Sequence, residues 1–372
     1  MRRLLILTVV ALTVVALAVA AGAPVAARAD TGQHGAITIT SNSDFTAPGS
    51  ATGCACVTAG NGTAASPYVI GPWAITAPSG GTSGWAIKVD DSLGGVTSSF
   101  TVSGISANYS GVPATDPVIV LVDVNNAAGT TISNVSANEA GVGVELDSSS
   151  YINLDQLNFN KMAGIGLFIN GSSHVTLSNS KFKSTADGDL PHNSDGLYAL
   201  SSAYLSIGGV PACPANQICN SFDYDSGFGV YLQNTHDVTI DRASANADDT
   251  GGYVLDNAWN VNLGNSGAGS DGPICFTANG VRTHSGYVSD LQGNLLLING
   301  SHGNAIHDDQ FAAPTAGYSI ASGGNGFFFN PCTGSNVPVS PVEAPMGSGN
   351  TFTNICYSST DIASLEPAQP CK

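Results

Sequence analysis

The sequence predicts an all-β chain wound as a right-handed parallel β-helix, a solenoid of about nine or ten coils with long loops at one corner. Three observations carry that expectation. Glycine supplies 45 of 372 residues and charged side chains only 10%, whereas a helical bundle would want more Leu, Glu, Lys and Arg. Short apolar-x-apolar strands followed by Asn or Gly recur along the chain. Glycine introduces a second, alternating strand inside each repeat. A β-propeller would need a period nearer ~40 residues with four strands per blade.

In chain order, Arg2 and Arg3 precede an apolar run from Leu4 to Ala21, and Ala27-Arg28-Ala29 closes the segment. These are the parts of a secretory signal peptide over residues 1–29, the rival reading being a retained membrane anchor. Its removal leaves 7 basic against 27 acidic residues, a net charge of −20. Such a balance argues against nucleic acid, since phosphate binding needs a Lys/Arg field. Residues 30–74 are expected to form an N-terminal cap and leading strands, 75–330 the coils, and 331–372 the last coil and C-terminal cap. No later stretch is apolar enough to span a membrane, and a monomer is expected.

The repeat is read from its anchors: Val102, Ile132, Leu154, Leu177, Ile207, Ile240, Leu263 and Leu297, with Ile75 before them and Phe352 after. Their basic spacing is 22 to 23 residues, lengthened in places. The second strands follow Gly141, Gly164, Gly196, Gly227, Gly251 and Gly286. One coil cannot bury its inner face alone, so neighbours stack at ~4.8 Å and share a core. Asn126, Ser148, Asn234 and Asn257 fall at one turn column, and Asn134, Asn179 and Asn265 at another, where Asn tolerates turn backbone.

All eight cysteines lie beyond the signal segment, and an even number in an exported chain points to disulfides, with zinc the weaker reading. Cys213 with Cys219, inside one Pro-bracketed loop, and Cys356 with Cys371 are the first candidate pairs. Cys275 and Cys332 are the next candidates, and Cys54-Ala55-Cys56 is too short for an easy internal bridge.

From the second strand to the next anchor the distance is constant, eight residues in four repeats, whereas anchor to following glycine ranges from 9 to 23. Extra length therefore enters on one side of the rod, where stacked loops would wall a groove. Polar residues just before the glycines would line it: His192, Asn193 and Asp195; Asp223, Tyr224 and Asp225; Asp248 and Asp249; Arg282 and His284. Three readings stay open for them. Asp195, Asp225, Asp248, Asp249, His284 and Arg282 form the candidate catalytic set, since carboxylates one coil apart suit glycoside hydrolysis. His192, Asn193, Asp223 and Tyr224 are the substrate-binding candidates. Asp248 and Asp249 could instead hold Ca²⁺, the only cofactor considered, or all could be solvated turns.

The chain resembles the pectin-lyase-like superfamily, and within it the secreted NosD-type repeat proteins. The matching elements are Ile37-Thr38-Ile39, Asn42-Ser43-Asp44-Phe45, Gly60-Asn61-Gly62-Thr63, Pro67-Tyr68-Val69-Ile70 and Trp73-Ala74-Ile75. Asn193-Ser194-Asp195 and Asp248-Asp249 are similar to two polygalacturonase motifs, but Asp248 is two coils from Asp195, His284 lacks flanking glycines and Arg-x-Lys is absent. Lyase-like chemistry would need a base beside calcium, for which Arg282, then Lys181 and Lys183, are candidates. The resemblance implies a secreted or cell-surface protein whose partner is an extracellular polysaccharide or cell-surface glycan, neutral glycans fitting the −20 chain best. Binding without catalysis is the leading expectation, and a polysaccharide hydrolase, lyase or epimerase the alternative. The seven histidines beyond residue 29 are dispersed and methionines few, which supports copper poorly.

Overall fold

A computed structural model describes residues 32–46, 55–75, 84–108, 118–124, 129–183, 195–208, 220–223, 225, 227–246, 251–264, 275–277, 293–298, 301–307, 310–312, 337–338, 351–353 and 356–357. The segment 1–29 and Cys54, Cys213, Cys219, Cys332 and Cys371 lie outside these residues. Apart from the five-residue helix Asn42–Thr46, the described elements are strands, nearly all in parallel register with the coil before and after.

The chain is a parallel β-helix with three strand faces. Nine strands, from Ile37–Ile39 through Val142–Asp147 and Phe228–Gln233 to Gly293–Ile298, make one sheet, here termed the glycine face. The anchor strands make the second face, running from Thr130–Asn138 through Ser173–Ser178, Ala203–Ile207 and His236–Ile240 to Trp259–Leu263. A third face follows immediately. Early coils reach it by one long bent strand, as in Ser150–Asn160, and later coils by separate short strands: Lys181–Lys183, Asn220–Asp223, Ala243–Asn246 and Cys275–Thr277. The stretch between anchor and glycine, where the extra length was expected, thus holds a strand of its own with a turn on either side. Long connections enter at both turns: residues 184–194 follow Lys183, and 209–219 precede Asn220.

Three register assignments differ from the sequence reading. Leu297 pairs with Leu255, so Leu295-Leu296-Leu297 belongs to the glycine face, and Ile306 takes the anchor position opposite Leu263. Gly251 stands opposite Gly293, while Gly286 lies outside the described residues. Ile70 pairs with the anchor Val102, and Ile75 with Ala107 on the third face. In the first and third cases an insertion or an extra strand displaces an apolar triplet that looks alike in sequence. Phe352 does sit in the anchor column, opposite Ile306.

The core explains the glycines. Phe159, Phe182 and Phe222, all fully buried on successive coils of the third face, stack inside the rod with centroids 5.8 and 5.2 Å apart. They press against Gly143, Gly166 and Gly196 across the lumen: a β-carbon on Gly166 would lie 2.6 Å from Phe182 Cδ1, and one on Gly196 2.9 Å from Phe222 Cδ1. No side chain fits between ring and backbone at such separations. At the N-terminal end Phe45 closes the core, stacked at 4.8 Å on Tyr68.

The constant eight-residue turn has a cause the sequence reading missed. Ser149, Ser172, Ser202 and Thr235 form a buried hydroxyl ladder at that corner. Ser172 Oγ donates to the carbonyls of Leu146 (3.2 Å) and Asn170 (2.9 Å) and accepts the Ser149 amide at 2.9 Å. Ser202 and Thr235 repeat the pattern one coil on. Beside it, Ser148, Ser201, Asn234 and Asn257 adopt left-handed backbone near φ 50°. Cys56 is buried and disulfide-bonded, whereas Cys275 and Cys356 fall on third-face strands.

Candidate functional site

Strand alternation on the third face sends Phe159, Phe182 and Phe222 inward and their neighbours out. The outward set, Asn158 and Asn160, Lys181 and Lys183, Ser221 and Asp223, comes from three consecutive coils held in register. Together these six side chains line a surface depression of about 410 Å³. The Lys161 amide donates to the Lys183 carbonyl at 3.1 Å, tying the end of Lys181–Lys183 to the preceding coil. Ser244 of the following coil donates to Asp223 at 3.4 Å. Only seven basic residues lie beyond residue 29, and two of them, Lys181 and Lys183, line the depression. The two turns that carry the long connections bound this face on either side.

Of the residues singled out from sequence, Asp223 lines the depression. Asp195 and Asp225 lie beneath the surface, at the corner leading into the glycine face, 5% and 0% exposed. They pack reciprocally: the Asp195 carboxylate lies where a β-carbon on Gly227 would be, and Asp225 Oδ2 would be 2.6 Å from one on Gly196. Asp195 Oδ1 accepts the Phe228 amide at 2.8 Å. Burial pushes the Asp195 carboxyl up to about 7, against the opposing pull of that hydrogen bond. A carboxyl so placed is neutral below neutrality and able to donate a proton. His192, Asn193, Tyr224, Asp248, Asp249, Arg282 and His284 lie outside the described residues. Among the described residues no three His, Cys, Asp or Glu side chains gather to hold a metal ion, and no helix is long and apolar enough to cross a membrane.

Sequence reasoning found Asp223 by its place before a column glycine, but it treated Lys181 and Lys183 only as reserve bases and passed over Asn158, Asn160 and Ser221. The missing signal was the third strand. Lys181–Lys183 is three residues with one buried position, too short for alternation to announce itself.

Fold and depression define the class: a three-faced parallel β-helix protein with a lysine-bearing polar groove on its third face. No family model and no curated protein matches the chain. Among solved structures it is similar to the enzymatically active domain of tailspike protein 2 of bacteriophage CBA120, at 13% identity over 64% of this chain and 34% of that one, with a TM-score of 0.43. It is also similar to the catalytic domain of a GH87 α-1,3-glucanase in complex with nigerose, at 13% identity over 77% of this chain and 54% of that one, with a TM-score of 0.33. The chain thus spans about a third of the tailspike chain and about half of the glucanase chain. At these identities the likeness is one of fold.

Proposed function

We propose that this is an extracellular β-helix protein that binds glycan in the third-face groove. The observation that carries the reading is the placement of two of the seven basic side chains, Lys181 and Lys183, beside two asparagine amides, a serine and a single acid, Asp223, in one depression of an acid-rich rod. Amide and hydroxyl groups suit sugar hydroxyls, and the ammonium groups add charge-assisted donors. The local balance is positive, so the chain-wide charge does not decide the sign of the ligand. Lys181→Ala/Lys183→Ala tests the reading on a glycan array holding neutral and uronate polymers. Loss of about two charge-assisted contacts predicts at least a tenfold weaker association with the glycan the parent retains. Unchanged retention would overturn the reading. Repeating the array with a chelator reads out any calcium role of Asp248 and Asp249.

A second reading, polysaccharide cleavage, is favoured by one observation: Asp195 is a carboxyl of raised affinity for its proton, with Asp225 of the next coil packed against its neighbour Gly196. New reducing ends or unsaturated products from the retained glycan, abolished in Asp195→Asn, would support it. Turnover that persists in Asp195→Asn would remove this residue from the chemistry.

A further inference from the structure

A second surface runs along the neighbouring anchor face. Tyr151, His174, Tyr204, His236, Trp259 and His302, one from each coil, form a continuous ladder of rings parallel to the rod axis. Successive centroids are 4.5, 4.8, 6.1, 4.5 and 6.1 Å apart, and four of the five contacts are stacked. The ladder faces water: Tyr151 is 49% exposed and Tyr204 53%, the only exposed large hydrophobic residues besides Leu93 among the described residues.

The backbone beneath the first three rings is unusual. Tyr151, His174 and Tyr204 hold φ of 59°, 54° and 55°, left-handed backbone that histidine enters fairly readily but tyrosine disfavours. The equivalent positions in the next two coils are Asp237 and Asn260, residue types at ease there, with φ of 54° at both. In those coils the ring moves one place back, to His236 and Trp259, and the ladder continues unbroken. Stability alone would favour Asn or Asp at all five positions. The rings are kept in line at the expense of the backbone.

Alongside runs the outward column Thr131, Asn153, Thr176, Ser206, Thr239 and Asn262, one residue per coil and none charged. In a chain of net charge −17, a strip of six uncharged hydrogen-bonding side chains beside six rings is a distinct chemical surface. The ring faces are occupied by neighbouring rings, so the ladder turns outward its edges: C–H groups, phenol hydroxyls and imidazole nitrogens. His236 Nδ1 is 2.8 Å from Asp237 Oδ2, which leaves Nε2 as the edge atom there.

We infer that this face binds a linear, uncharged polysaccharide lying along the rod. Such a polymer presents hydroxyl and C–H groups at a regular repeat and carries no charge to be repelled by the acid-rich remainder of the surface. An anionic polymer would meet like charge at Asp155 and Asp237 on the same strands. The inference stands apart from the groove reading, because it concerns another face and other side chains.

The test is affinity electrophoresis of the full chain through gels that each contain one soluble linear neutral glucan or mannan. The variant is Tyr151→Asn/His174→Asn/Tyr204→Asn, which places at each site a residue that accepts left-handed backbone. We expect at least one gel to retard the parent, and the triple variant to lose at least tenfold in association while its melting temperature stays level or rises. Lys181→Ala/Lys183→Ala should be retarded in that gel as the parent is. The inference is overturned if no gel retards the parent, if the triple variant is retarded equally, or if its melting temperature falls along with retention. Loss of retardation in the lysine variant alone would assign the binding to the groove and likewise overturn the ladder.

Discussion

Replacing Asp195 by Asn should make the protein more stable at alkaline pH and change the shape of its pH–stability curve. The Asp195 carboxyl is raised from 3.8 to about 7 because it is buried against the corner of the next coil. A carboxyl whose folded value lies above its unfolded one binds its proton more tightly in the folded state. Its contribution is therefore fully present below about pH 4 and declines as pH rises toward 7. Above that it is gone, the cost of ionising a buried group having been met in full. A shift of about 3 units corresponds to about 4 kcal/mol. Asparagine cannot ionise, yet its Oδ1 can still accept the Phe228 amide, and its NH₂ replaces the O–H that the neutral acid already carries. Urea unfolding of both proteins at pH 5 to 9 reads the difference, with midpoints compared directly because stacked coils need not unfold in one step. The variant should gain on the parent by up to about 1.4 kcal/mol per pH unit until about pH 7, then hold a constant lead. Curves that run parallel from pH 5 to 9, or a variant less stable than the parent at pH 8.5, would refute the claim that Asp195 is buried as an acid.

Two further outcomes test what holds the coils in place. Gly166→Ala drives a methyl to within 2.6 Å of Phe182 Cδ1 and 2.7 Å of the Gly196 carbonyl, so thermal unfolding should show a loss of about 1–3 kcal/mol, partly recovered when Phe182 is reduced to Leu. Ser172→Ala removes one rung of the hydroxyl ladder and leaves the buried Ser149 amide without its acceptor, which should cost about 1–3 kcal/mol and raise hydrogen exchange at that amide specifically.

What the sequence disclosed of this fold follows from what each column buries. The anchors were legible because each contributes two apolar side chains around one polar one, and the constant turn kept them in phase. The glycines were legible as a column, but their reason was not. They come in two registers: Gly143, Gly166 and Gly196 lie against the phenylalanine stack, while Gly141 and Gly164 fall two places earlier. Only the register between coils separates the two sets. The third face stayed hidden because its strands shorten to three or four residues just where the insertions adjoin them. With that face missing, the groove lysines had no place to gather, and Asp195 and Asp225 were read as lining when they are buried wall.

Burial of those two acids also shifts where the negative charge of the chain acts. On the glycine face Asp90 and Asp123 pair in register, and Asp147 follows one coil on, beside Glu145. Burial, then the neighbouring Asp147 and Asp90, holds the Asp123 carboxyl above its ordinary value, while a hydrogen bond from Lys88 draws Asp90 down to about 2. Like charges in adjacent strands destabilise a sheet, so this ladder has a cost that the Lys88 ion pair at 2.7 Å, the Ser92 amide donating to Asp90 at 2.9 Å and the Asn170 amide donating to Asp147 at 2.8 Å offset. The rod thus carries a ladder of acids on one face, lysines in the groove of another and, along the third, an uncharged column beside the rings, with Asp155 and Asp237 on the same strands. A solenoid allows this because every coil offers the same backbone slots, and each face takes its chemistry from one column of side chains. Repulsion from the acidic face falls off over about 8 Å at physiological salt, so it weighs most on a ligand close to that face. The polarity of a ligand is therefore set first by the face it meets, and the net charge of the chain adds a general penalty against polyanions that is greatest beside the acidic ladder.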